Sequence, residues 1–263
     1  MTTKFLIQST EIKGKKVPAQ DFGYTAMQVV DYYDWLYPNE HMYDFEYVCS
    51  PTLFKQKPEW LQTDANGFPY CIPIGSVEFV ISWFVAMNIE NVKPLNIPKE
   101  LWHFCDRKIA IGKLEDFTGT YMIKDIDNLK YEYNQKVTIY PTMLYGDNYH
   151  YSLHCREFFL SEWVNNVESE WRVFVFNGEI RDIRCYSGDP WKIPDKQYVQ
   201  EVVDTYSQIR NTAYTLDVMV TDKKTEILEL HDFFSCGLYG FEDFRMLPIM
   251  WRRSIDFILR EKK

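Results

Sequence analysis

Tyr214-Thr215-Leu216-Asp217-Val218-Met219-Val220 and Glu226-Ile227-Leu228-Glu229-Leu230-His231-Asp232 are two strand-like runs joined by the polar loop Thr221-Asp222-Lys223-Lys224-Thr225. They read as an antiparallel hairpin. Pairing Val220 with Glu226 sets Val218 against Leu228 and Leu216 against Leu230, so the apolar residues match. The same register sets Asp217 across from Glu229, with His231 on the same face. Like charges in a cross-strand pair repel. Such a face needs a cation or a bound proton, unless it is open to solvent and its carboxylates stay hydrated. For a bound cation, oxygen donors point to Mg2+ rather than zinc. Asp217, Glu229 and His231 are therefore the candidate metal ligands.

A second hairpin turns at Asn177-Gly178, a strong two-residue loop signal, with Phe176 opposite Glu179. Its register places Glu170, Arg172, Phe174 and Phe176 on one face with Glu179, Arg181 and Ile183. Arg172 lies inside the apolar run Trp171 to Phe176, where a charge needs a partner. Two partners are open: a same-face acid such as Glu170, or a bound anion. Lysines add a third element. Lys124 ends the strand Tyr121-Met122-Ile123, and Lys108 and Lys113 flank Ile109-Ala110-Ile111. A lysine at a strand end is a solvated terminus or, beside a diacid metal site, a phosphate contact.

Around these runs short strands dominate the chain beyond residue 100, interrupted by a helix opened by Pro194-Asp195. That helix carries Val199, Val202, Val203, Tyr206 and Ile209 on one face. A last amphipathic helix spans Leu247 to Leu259, and the whole predicts an α+β fold. Upstream, the pattern predicts a strand over residues 5–9, a helix from Tyr24 to Leu36, an apolar segment from Tyr70 to Ile74, and a helix capped by Ser76 and running to about Ala86. The Pro-spaced connector Lys93 to Pro98 marks a domain boundary. From Pro18 to Phe54 there are six acids and no Lys or Arg, which reads as a solvated helix face over an aromatic core or a docking face for a basic partner.

Composition bounds the function. The chain has 263 residues, 46% hydrophobic and 25% charged, with a formal charge of −9, which excludes disorder and argues against nucleic acid as a partner. The longest nearly apolar run, Phe79 to Ile89, is 11 residues long, and no signal-peptide core opens the chain. A bilayer span needs about 20 residues, so no membrane partner and a cytoplasmic location are expected. The 17% aromatic content suggests stacking on bases or sugars, or simply core. Six cysteines without a CxxC read as reduced, mostly buried thiols, Cys236 among them. His150 and His154 have zinc spacing but no third ligand in register.

Taken in order, Leu160-Ser161-Glu162-Trp163-Val164, Glu170-Trp171-Arg172-Val173-Phe174-Val175, Leu216-Asp217-Val218 and Leu228-Glu229-Leu230-His231-Asp232 with Gly237-Leu238-Tyr239-Gly240 resemble the ATP-grasp superfamily. Within it they resemble a small stand-alone clade of phages and bacteria, related to the eukaryotic cell-division-cycle assembly factors for an initiation factor. The resemblance spans about residues 70 to 245. It implies an ATP-grasp fold, two α+β subdomains clasping ATP, preceded by an α/β portion. Residues 1–95 would be that pre-ATP-grasp, substrate-facing portion, 96–164 the first subdomain and hinge, and 165–263 the second subdomain with the Mg2+ site. Lys124 would contact the phosphates with help from Lys108 or Lys113, and Ser161, Glu162, Trp163 and Val164 would meet adenine. Arg172, with Arg184 as a second cation, would bind the γ-phosphate or an acyl phosphate. Asp217 and Glu229 would hold Mg2+, and His231 stands where the family usually has Asn. The implied activity is an ATP-dependent carboxylate–amine ligase working through an acyl phosphate on a peptide, protein or small amino compound. The alternative is an assembly factor that binds ATP without ligase turnover.

Overall fold

The computed structural model describes residues 2–126, 134–140 and 156–261. β1 (Thr3–Ile12) is the centre of a first sheet. β2 (Lys15–Pro18) folds back antiparallel on its second half, while β3 (Tyr43–Val48) and β4 (Cys71–Ile74) run parallel to its first half. Phe5-Leu6-Ile7 can be apolar without interruption because both faces of this strand are covered. α1 (Asp21–Leu36) covers one face through Phe22, Ala26, Val29 and Val30, an i, i+4, i+7, i+8 stripe. A short α2 (Leu53–Gln56) and α3 (Val77–Ala86) follow, and the Ser76 hydroxyl accepts the Phe79 N–H at the start of α3.

The acidic stretch 18–54 becomes α1 and then β3, a strand absent from the sequence reading. Its outward acids Asp44 and Glu46 pair with Lys4 and Lys57, which lie outside the stretch. The connector is no free spacer: Asn96 bridges to Leu230, whose N–H donates to the Asn96 carbonyl at 2.7 Å, and Ile97 is buried.

The second sheet comprises β5 (Ile109–Lys113), β6 (Gly119–Asp125), β7 (Asn134–Ile139) and β8 (Glu157–Glu162), in the antiparallel order β5-β8-β6-β7. The third comprises β9 (Val167–Phe176), β10 (Glu179–Gly188), β11 (Ala213–Thr221) and β12 (Thr225–Asp232), in the order β10-β9-β11-β12. Between β10 and β11, α4 (Lys196–Ser207) starts at Asp195, whose side chain accepts the Gln197 and Tyr198 N–H groups. Its Val199, Val202, Val203 and Tyr206 pack with Val173, Val175, Leu216 and Val218. Ile209 does not share that face: the helix ends at Ser207 and Ile209 is exposed. On the other face of β9, Phe174 and Phe176 join the first sheet's core, which α5 (Leu247–Glu261) completes by placing Trp251 edge-on to Phe5.

Two β-bulges alter the expected registers. Phe176 pairs with Glu179, but a shift at Arg181 sets Asp182 against Phe174 and Arg184 against Arg172, so Arg181 and Ile183 leave the Arg172 face. In the other hairpin Asp217 pairs with Glu229 and Leu216 with Leu230, but Val220 pairs with Thr225 and Val218 with Ile227. Leu228 is the inserted residue. An extra residue flips the side-chain alternation that follows it, which period-2 reasoning does not foresee.

No helix among the described residues is long and apolar enough to cross a membrane. Cys49, Cys71, Cys105, Cys185 and Cys236 are free thiols, whereas His150, His154 and Cys155 lie outside the described residues. Burial separates core from surface sharply enough to test. Leu216→Ala, at 0% exposure, should lower stability in urea denaturation by about 2–5 kcal/mol, and Trp35→Ala, at 76% exposure, by no more than about 0.5 kcal/mol.

Candidate active site

A cleft of about 700 Å3 opens between the second and third sheets. One end is lined by the hinge after β8 and by Met122, Phe159, Met219 and Leu228; the other by Lys124, Arg172, Asp217, Glu229 and Tyr239. The apolar end suits a planar ring and the charged end an anion with its counter-ion.

β9, β11 and β12 lie side by side, which puts Arg172, Asp217 and Glu229 in one cross-strand row. Arg172 Nε and Nη2 donate to the two carboxylate oxygens of Asp217 at 2.8 and 2.7 Å, and its Nη1 donates to the Gly237 carbonyl at 3.1 Å. The Arg172 partner is thus Asp217 rather than Glu170. Lys124, from β6 of the facing sheet, pairs with Glu229 Oε2, and His231 Nε2 lies 2.7 Å from Glu229 Oε1. Burial alone would raise the Glu229 carboxyl, but His231 and Lys124 outweigh it and hold the group far below the usual carboxylate range. The Asp217–Glu229 repulsion is therefore met within the chain by two cations.

Donor atoms of Asp217, Glu229 and His231 all lie within 4.8 Å of one another. Two carboxylates suit Mg2+; the imidazole also suits softer divalent ions.

The other residues expected from the sequence divide. Ser161, Glu162, Trp163 and Val164 all line the cleft. The Trp163 N–H is already donated to the Thr120 carbonyl at 2.9 Å, and Glu162 Oε2 accepts the Lys108 N–H at 3.0 Å. The Val164 main chain has no main-chain partner among the described residues. Lys108 and Lys113 do not line the cleft: both are exposed, and the Lys108 ammonium sits over Phe117 at 5.0 Å. Arg184 is also outside its lining, engaged by Asp182 at 2.8 Å and Glu242 at 3.5 Å. Cys236 is buried and its thiol is pushed up to about 11, chiefly by burial, which fits a packed thiol.

Three residues were missed. Arg107 lines the cleft where a lysine was expected, donating to Ser161 Oγ and Glu226 Oε2 at 2.7 Å each and to the Ile227 carbonyl at 2.6 Å. In sequence it sits between Asp106 and Lys108, which disguises it as part of a solvated charge run. Lys136 stands over the Trp163 ring at 4.2 Å. Tyr186 stacks on Tyr239 at 5.1 Å, and the Arg172 guanidinium lies 5.7 and 5.1 Å from the two rings. Tyr186 follows Cys185 at the second shift of β10, a position no alternation pattern assigns to the cleft.

Arg172→Leu should destabilise the fold by about 3–5 kcal/mol in chemical denaturation, because Asp217 is left buried and unpaired. Arg172→Leu/Asp217→Leu should recover a substantial part of that loss.

A search of curated proteins finds no match to this chain. Solved structures share its fold. D-alanine–D-alanine ligase from Bacillus anthracis is similar over 99% of both chains, with a TM-score of 0.51 at 9% identity. The same enzyme complexed with ATP also aligns over 99% of both chains, at a TM-score of 0.53 and 10% identity. The ATP-grasp ligase PsnB complexed with minimal precursor is similar over 100% of both chains, at 0.51 and 11% identity. Identities this low establish the likeness of fold alone. Residues 104–248, more than half of the chain, match the family described as ATP-grasp domain, family 2 of its clade, and the protein belongs to that family.

Proposed function

We propose that the protein is an ATP-dependent ligase that activates a carboxylate as an acyl phosphate and joins it to an amine. The observation that carries this reading is the convergence of Lys124 and Arg172 with Asp217 and Glu229 at one end of a cleft whose other end is apolar. The ATP-grasp fold supports it, and so do the ligases that share that fold. Residues 1–95 would face the substrate, with 96–164 and 165–263 closing on ATP. PsnB, whose structure holds a minimal precursor, makes a peptide substrate a natural class to test.

In this reading the base lies against Met122, Met219 and Leu228 beside the Val164 main chain, and the triphosphate extends toward Lys124 and Arg172. Asp217 and Glu229 would hold Mg2+, with His231 as a third donor. The ion would supply charge neutralisation on the phosphates. A substrate carboxylate oxygen bonds to the γ-phosphorus as the bond to the bridging oxygen of ADP breaks. The amine then bonds to the acyl carbon, phosphate leaves, and the amine proton passes to solvent. Lys124 and Arg172 stabilise the charge spread over the transferring group, and no side-chain nucleophile is required.

Lys124→Ala and Asp217→Ala should each weaken Mg2+–ATP binding by about ten-fold or more, read as loss of the nucleotide-induced rise in melting temperature. Chelation by EDTA should remove the same rise from the unaltered protein. Unchanged shifts in both variants would sink the nucleotide site.

A second reading, ATP binding without ligase turnover, is favoured by one contact: both Glu229 oxygens are already engaged, one by Lys124 and one by His231. Turnover separates the two. A ligase should release ADP only when a carboxylate is supplied and, with hydroxylamine present, yield the hydroxamate. ATP recovered intact from the protein across a panel of carboxylates and amino-compound acceptors would favour the assembly role.

A further inference from the structure

Helix α5 carries Arg252, Arg253 and Arg260 in a chain of formal charge −9. Positions 253 and 260 lie two turns apart on one helical face, and 252 adjoins it. All three guanidinium groups gather round a single ring, with their carbons 5.0, 5.7 and 4.9 Å from the centroid of Phe68. That ring is fixed by a tight turn: Asp64 Oδ1 accepts the Asn66 and Phe68 N–H groups, and the Asp64 N–H donates to the Phe68 carbonyl at 2.8 Å. Each cation gains from the π-face, but three like charges about one ring repel.

Carboxylates compensate only part of this charge. Asp256 takes Arg260 at 3.0 Å, and Asp64 lies 3.7 Å from Arg252. Arg253 has no carboxylate partner among the described residues. Beside the cluster is a cavity of about 310 Å3, lined by both Arg252 and Arg253 and walled by Tyr43, Phe68, Pro248 and Ile249. Guanidinium forks match the oxygens of a phosphate, and the aromatic and aliphatic walls match an attached ring.

The cavity is separate from the nucleotide cleft. Thr3 and Tyr43, which line it, begin β1 and β3, so it lies at the N-terminal edge of the first sheet. At the opposite edge, after β4, the Gly75 carbonyl accepts the Ser235 hydroxyl, two residues before the Gly237 carbonyl that holds Arg172.

We propose that this cavity binds a small aromatic phosphate monoester, its oxyanion on Arg252 and Arg253 and its ring against Tyr43, Phe68 and Ile249. The test is calorimetric titration of phenyl phosphate into the full chain saturated with Mg2+ and a non-hydrolysable ATP analogue, which keeps the probe out of the cleft. One saturable site is expected, weakened about ten-fold or more in both Arg253→Gln and Arg252→Gln/Arg253→Gln, with affinity for the ATP analogue unchanged. Arg253 is exposed, so the single variant keeps the test open should the double variant misfold. No binding of phenyl phosphate, or equal binding by wild type and variants, would overturn the site. Inorganic phosphate bound as tightly as phenyl phosphate would overturn the aromatic assignment. Failure of the ATP analogue to bind would count against the nucleotide cleft alone, since the dependence on Arg252 and Arg253 is read separately.

Discussion

Asp217 and Glu229 face each other across β11 and β12, and much of the surrounding architecture answers that repulsion. Two unit charges some 4–5 Å apart near a protein surface repel by roughly 3–4 kcal/mol. The chain meets this with cations drawn from two other strands. Arg172 comes from β9, next to Asp217, and Lys124 from β6 in the facing sheet. The Lys124–Glu229 pair therefore ties one wall of the cleft to the other. Leaving His231 aside, the four charges sum to zero, so the cluster is stable as it stands. The same balance suits exchange: a divalent cation and a polyphosphate can take over the carboxylates and the cations respectively without leaving any of the four uncompensated.

Bulges are the second device. In a regular β12, Leu228 and Glu229 would point to opposite faces, yet both line the cleft because Leu228 is the inserted residue. The strand thus presents an apolar group for the ring end and a carboxylate for the charged end at consecutive positions. On β10, the shift between Cys185 and Ser187 does the same for Tyr186, which reaches Tyr239 and the Arg172 guanidinium.

What could be read from sequence follows from these devices. The Asp217–Glu229 pairing was legible because the apolar residues on both sides of it match in only one register near that point. The placement of α4 and α3 was legible from Asp195 and Ser76, residues whose side chains cap helix starts. Arg181 and Leu228 were misplaced because a bulge leaves no mark in an alternating pattern. The partner of Arg172 was not legible either: Asp217 is 45 residues away, and only the strand order β9-β11 makes them neighbours. Lys108 was preferred to Arg107 for a related reason. Each borders the apolar run of β5, and burial against β8 and β12, a tertiary fact, decides between them.

Arg107 also bears on how the cleft can move. Its guanidinium is buried and spends its donors on Ser161 at the hinge strand and on Glu226 and the Ile227 carbonyl of β12. Separating the two sheets at this point would strand a charge and its carboxylate in a poorly solvated place, at a cost of several kcal/mol. The Lys124–Glu229 contact, at the other end, involves a lysine on a flexible stem and a carboxylate 18% exposed. Opening should therefore pivot about the buried Arg107 end and part at the charged end. That polarity places the rigid wall beside the ring-binding residues and the yielding one where a second substrate must enter and a product leave.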